Sequence, residues 1–269
     1  MGITPYHTRR RGRGLALKFR PCIDIHQGKV KQIVGESFDS TNNHKVIENF
    51  VSEYGSKYYA AKFKEDQLSG GHVIMLGAGN EEAAVHALRE YPGGLHIGGG
   101  ITADNAAYYL EQGASHVIVT SYIFRDGELD MNHLHKIVAE VGKDRLVIDL
   151  SCKARDEKWF VVTNQWKVFS NFEVNPANLH ELENYCDEFL IHAVDVEGKR
   201  TGIHEDLVTH LAQNVTIPTT YAGGARSLAD LARFNTITNG KLDITIGSAL
   251  DIFGGDLSYK EVVEYCNKR

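Results

Sequence analysis

Two aspartates interrupt otherwise apolar runs, Asp24 in CIDI and Asp149 in VIDL. A carboxylate near the end of a buried strand either caps the turn that follows or is aimed at a ligand. Spacing separates these readings. Asp24 and Asp149 lie 125 residues apart, and so do Gly99 in IGGGI and Gly224 in AGGAR, and Thr120 in HVIVTS and Thr245 in DITIGS. Three motif positions recurring in order with one period indicate a duplication. Two carboxylates related in this way suit acid/base chemistry on opposite sides of one substrate, one ionised and one protonated.

The glycines carry a second chemistry. Gly98, Gly99 and Gly100 follow one apolar run, and Gly223 and Gly224 follow its counterpart, where backbone amides without a neighbouring Cβ can wrap phosphate oxygens. Residues 102–104 and Ser227 then begin predicted helices, whose N-termini favour an anion. Thr120 and Ser121 in one half, and Gly247 and Ser248 in the other, complete two cups, which implies a ligand with a phosphate at each end. Glu197, two residues after Asp195, either touches substrate or is an exposed loop acid. Trp166 in VVTNQWKVF either stacks on a planar heterocycle or fills its own loop. The thirteen histidines show no metal-ligand spacing, so neither metal nor cofactor is expected.

These residues need a frame. Short strand-like runs at 20–25, 72–76, 95–97, 116–120, 146–150, 189–194, 219–222 and 243–246 alternate with amphipathic stretches such as 103–112, 132–141 and 228–234. Four β/α units fit one period, so two copies predict an α/β fold, a single eightfold (β/α) barrel of two duplicated half-barrels spanning 19–269. An open doubly wound sheet fits less well, because no Gly-x-Gly-x-x-Gly turn follows the first strand. Residues 1–18, free of acids and with Arg9, Arg10, Arg11 and Arg13, read as a poorly ordered exposed tail or the remnant of an organellar targeting segment.

Composition sets limits on partners. The 269 residues are 42% hydrophobic and 24% charged, which suits a globular core, and a net charge of −6 offers no general field for nucleic acid. No apolar run reaches the roughly 18 residues of a membrane span. Cys22, Cys152, Cys186 and Cys266 are widely spaced and read as reduced thiols, which points to the cytosol, with the plastid stroma as the alternative. The expected partner is a small bis-phosphorylated substrate, and the expected state a monomer.

The motifs RPCIDIHQGKVKQIVG, GGHVIML, HIGGGI, HVIVTSYIF, RLVIDLSCK, FLIHAVDVEG, YAGGA and IGSALDIFGG together resemble the histidine-biosynthesis isomerase family, phosphoribosylformimino-aminoimidazole-carboxamide-ribotide isomerase, in its eukaryotic branch. The resemblance implies an Amadori rearrangement of a ribosyl aminoaldose to an aminoketose, without cofactor or metal. It implies Asp24 as the base that takes the C2 proton. It leaves the acid open between Asp149 and Glu197, because bacterial members carry an Asp-Gly turn where this chain has Glu197-Gly198, and His192 stands where they carry a Thr. Trp166 matches an aromatic lid, and Met75 and Gly77 replace acids of the bacterial second strand. A second resemblance, through PCIDIHQGKV, is to the cyclase subunit of imidazole-glycerol-phosphate synthase. Against it, Lys31-Gln32 replaces that enzyme's Lys-Gly, and TSYIFRDGELD its Asn-Pro loop. A non-catalytic phosphometabolite-binding barrel is the third reading, and retention of both aspartates speaks against it.

Overall fold

Apolar runs too short for helices, separated by one-sided amphipathic stretches, bury their faces by alternating strand and helix around a closed sheet. The computed structural model describes residues 16–33, 48–163, 166–197 and 199–267. Eight parallel strands form its centre: β1 (Cys22–His26), β2 (Gly71–Leu76), β3 (Leu95–Gly98), β4 (His116–Val119), β5 (Leu146–Arg155), β6 (Glu188–Ala193), β7 (Thr219–Ala222) and β8 (Asp243–Thr245). Helices α1 (Ser56–Glu65), α2 (Glu81–Glu90), α3 (Ala106–Glu111), α4 (Met131–Val141), α5 (Pro176–Leu182), α6 (Glu205–Asn214), α7 (Leu228–Thr238) and α8 (Tyr259–Asn267) follow them in turn.

Each strand pairs with its successor, from Asp24↔Ile74 in the first pair to Tyr221↔Ile244 in the last. The ring closes through a parallel bridge between Phe19 and Ile244, where Arg20 N donates to Ile244 O at 2.8 Å and Ile244 N to Lys18 O at 3.0 Å. This moves the expected tail boundary. Leu17 is only 4% exposed and packs in the core, so the barrel has begun before residue 19. Residues 1–15, Gly35 and Gly198 lie outside the described residues.

The main core lies between the sheet and its helices, with Ile23, Ile25, Ile97, Ile148, Phe189 and Tyr221 among its fully buried members. Ile74, Ile118, Val147 and Leu190 form a smaller apolar layer. Arg20 Nε donates to Asp243 Oδ2 at 2.9 Å, and Nη2 stands 2.9 Å from the same oxygen and 3.6 Å from Glu188. A buried guanidinium is tolerated only with partners of this kind.

Three features depart from the sequence expectation. β5 continues past residue 150 to Arg155, Lys158–Thr163 folds back on it as an antiparallel strand, and Val168–Glu173 pairs antiparallel with that strand in turn. Lys29–Ile33 turns back along β1, with Ile25 opposite Val30. The segment expected to be helical from residue 103 starts only at Ala106, because Thr102 Oγ1 and Asn105 Oδ1 hold a turn there, accepting from Asp104 N at 3.2 Å and Thr102 N at 2.9 Å.

Candidate active site

Side chains at the carboxyl ends of barrel strands face one mouth, because alternate residues point inward and the strands run parallel. Two cavities open there. The larger, about 560 Å3, is lined by Gly99, Gly100, Thr120, Ser121, Asp149 and Trp166 among others. The smaller, about 50 Å3, is lined by Gly223, Gly224, Gly247, Ser248, Thr245 and Arg200 among others. Asp24, His192 and Glu197 line both. One cavity thus belongs to loops three and four, the other to loops seven and eight, and a carboxylate-rich boundary joins them.

The glycines show why the cups keep their shape. Gly99 at φ +92° and Gly224 at φ +76° are equivalent in the repeat, and a Cβ on either would run into a backbone carbonyl, of Met75 or of Gly202. Both positions require glycine on conformation and on space. Gly98 differs from its expected role: it is absent from both cavity walls, and a Cβ there would meet Ile74 and Ile118 inside the barrel. The helix starts differ as well. Neither 102–104 nor Ser227 lines a cavity, and Ser227 Oγ is taken up in capping α7, accepting from Asp230 N at 3.1 Å. Loop residues, not the helix starts, line the two cavities.

At the boundary the two aspartates have different neighbours. Asp24 Oδ2 accepts from Gln32 Nε2 at 3.1 Å, an amide brought over by the strand Lys29–Ile33. Burial and the nearby Glu197 carboxyl raise Asp24 to about 7, against the lowering effect of His192 and Gln32. Asp149, 7% exposed, binds His192 Nδ1 through Oδ1 at 2.9 Å. Burial opposes a cation at His192, yet Asp149, Glu197 and Asp24 together outweigh it and lift the imidazole to about 9. Burial, with Asp149 adding to it, pushes Glu197 up, and its Oε2 is buried with no hydrogen-bond partner among the described residues. An unpaired buried carboxyl oxygen at a cavity wall is costly, and a ligand hydroxyl would satisfy it.

Trp166 sits over the larger cavity, its Nε1 donating to Ser151 Oγ at 3.0 Å and its ring 6.4 Å from that of His192. Met75 and Gly77 line this cavity too. Asp195 lines neither; its Oδ2 accepts from Ala154 N at 3.3 Å, so it ties β5 to the sixth loop. Sequence reasoning passed over Gln32, Arg200 and His192 as functional groups. Gln32 and His192 were visible only as departures from related sequences, and Arg200 had no signal beyond its charge.

Although the sequence shows no metal-ligand spacing, the fold brings His96, His116 and Glu188 together with donor atoms within 4.8 Å. Two of the three already have protein partners: Arg20 stands beside Glu188, and His116 Nε2 lies 3.1 Å from Asp187 Oδ2. All four cysteines are buried and free.

Residues 18–257 match the family described as histidine biosynthesis protein. A Medicago truncatula protein named 1-(5-phosphoribosyl)-5-((5-phosphoribosylamino)methylideneamino)imidazole-4-carboxamide isomerase HISN3, chloroplastic, is 49% identical over 259 residues, covering 94% of this chain and 83% of its own. Isomerases of the same name from Neurospora crassa and Saccharomyces cerevisiae are 49% and 45% identical, covering 94% and 89% of this chain and 99% and 94% of theirs.

Proposed function

The chain belongs to the histidine biosynthesis protein family, and on that premise we propose that it catalyses the aldose-ketose isomerisation for which its relatives are named. It is an intramolecular oxidoreductase of L-histidine biosynthesis, acting on a substrate with a phosphoribosyl group at each end. The observation that carries this reading is the pair of cavities: each is built on one copy of the repeated glycine loop, and they meet at Asp24, His192 and Glu197. A ligand anchored by a phosphate in each cup places its reacting carbons at that boundary.

Asp24 is the base for the C2 proton. A carboxylate raised to about 7 is ionised in half the molecules at neutral pH and holds an abstracted proton well, which is the match general-base catalysis needs. The acid side is the opposite wall, formed by Asp149 with Glu197. Gly99, Gly100, Thr120 and Ser121 hold one phosphate, and Gly223, Gly224, Gly247 and Ser248 the other, while Trp166 covers the heterocycle. The protein works as a monomer in the cytosol, with the plastid stroma as the alternative in view of the chloroplastic Medicago relative. Among the described residues no helix is long and apolar enough to cross a membrane. Sedimentation of the pure protein and fractionation of cells test these two points.

The deciding experiment incubates pure protein with the aminoaldose, and separately with the aminoketose plus ammonium. Aminoketose formed in the first mixture is the expected result. Imidazole glycerol phosphate in the second would assign the chain to the cyclase reaction instead.

A further inference from the structure

A proton donor must stand where the sugar carbons lie, between the two phosphate cups. Asp149 lines only the larger cavity, whereas His192 lines both. Asp149 is also engaged, its Oδ1 bonded to His192 Nδ1 at 2.9 Å. A carboxylate bound to one ring nitrogen fixes the ring's orientation and leaves the other nitrogen to exchange a proton with a ligand. We infer that His192, oriented by Asp149, is the general acid that protonates the sugar ring oxygen, so that Asp149 is a positioning residue. The inference rests on the isomerase reading given above.

The charged and titratable groups facing His192 are Asp24 on β1, His72 on β2, Asp149 on β5 and Glu197 in the loop after β6. The three carboxyl groups keep the imidazole protonated up to about 9. Burial holds His72 near 3, so it is neutral and competes for no proton. Glu197, with one oxygen unpartnered among the described residues, is placed to bind a sugar hydroxyl.

The proton balance closes. His192 Nε2 gives its proton to the ring oxygen, the C1–O bond breaks with its electron pair staying on oxygen, and the nitrogen lone pair forms a C1=N iminium. Asp24 takes the C2 proton, the C–H pair becomes a C1=C2 bond, and the C=N pair returns to nitrogen. Asp24 then delivers its proton to C1 while the 2-hydroxyl passes its proton to His192, leaving the ketone and both residues restored.

The test compares kcat and kcat/KM against pH for the full-length wild type, His192→Asn and Asp149→Asn on the aminoaldose. In kcat/KM, which reports the ionisations of the free enzyme, wild type is expected to show an acid limb near 7 and an alkaline limb near 9. His192→Asn should lose about 10²- to 10³-fold in kcat with KM changed only a few-fold, and lose the alkaline limb. Asp149→Asn should move that limb to lower pH, because burial then prevails at the imidazole. Histidine 15N NMR of wild type and Asp149→Asn reads the same shift without turnover and serves if His192→Asn does not fold. His192→Asn turning over within threefold of wild type, or an imidazole titration unmoved in Asp149→Asn, would overturn the inference. A wild type that does not convert the aminoaldose at all would instead overturn the isomerase reading.

Discussion

The two halves of the barrel start from the same pattern and end in different chemistry. Asp24 and Asp149 occupy equivalent positions, as do Gly99 and Gly224. The glycines behave alike, each at positive φ and each pressed against a backbone carbonyl. The aspartates do not. Asp24 is buried beside a neighbouring carboxyl, which penalises its ionised form against the help of the Gln32 amide, whereas Asp149 meets an imidazolium. Duplication therefore repeats what the backbone demands, while the side chains arriving from neighbouring strands set the two halves apart.

That contrast can be broken experimentally, beginning with the largest effect. Asp24→Asn should lower kcat by about 10³- to 10⁴-fold while the protein still binds substrate. It should also make the fold more stable. A carboxyl raised in the folded state from 3.8 to about 7 imposes no penalty below 3.8, and a growing one as pH rises through about 7. Thermal melts should thus show a higher Tm for the variant at pH 8 and no gain at pH 3.5.

Asp149→Asn should move stability the other way, by about 1 to 3 kcal/mol at pH 7, since it removes the partner of a buried imidazole. His192, raised from 6.5 to about 9, contributes stability that is fully present below 6.5 and lost as pH passes 9. The difference between the two Asn variants should therefore shrink above pH 9 in urea melts. Equal Tm shifts in the two variants at pH 8 would mean that the halves are electrostatically alike.

Gly99→Ala and Gly224→Ala should each cost about 1 to 3 kcal/mol of stability, because each forces a side chain into positive φ. Urea titration should return similar values for both, and a difference above about 2 kcal/mol would show that the cups are less equivalent than their backbones. Smallest in effect is Gln32→Ala. Its amide favours the ionised form of Asp24, so removing it raises that group further, moves the acid limb of the pH-rate profile to higher pH and slows turnover at pH 7 a few-fold.

Much of the frame was legible because its signals are local. The eight strands were readable from short apolar runs, and Ser227 was readable as the cap of α7 from residue type and position. The extended β5 and its added strands were not, since residues 151–173 alternate too irregularly to show a hairpin. Of the residues the repeat singles out, Thr120, Ser121, Gly247 and Ser248 line the two cavities, whereas Gly98 lines neither, because a run of three glycines does not reveal which one packs inward.

By itself the sequence determined that this chain is built twice over: a period of 125 residues carries Asp24 into Asp149 and Gly99 into Gly224, and periodicity needs no third dimension. Only the tertiary structure decided that the two aspartates differ. Gln32 reaches Asp24 from a strand that turns back along β1, and His192 reaches Asp149 across 43 residues from the next strand. An ionisation equilibrium is set by whatever charges and dipoles lie within a few ångströms, and the fold alone brings those neighbours in.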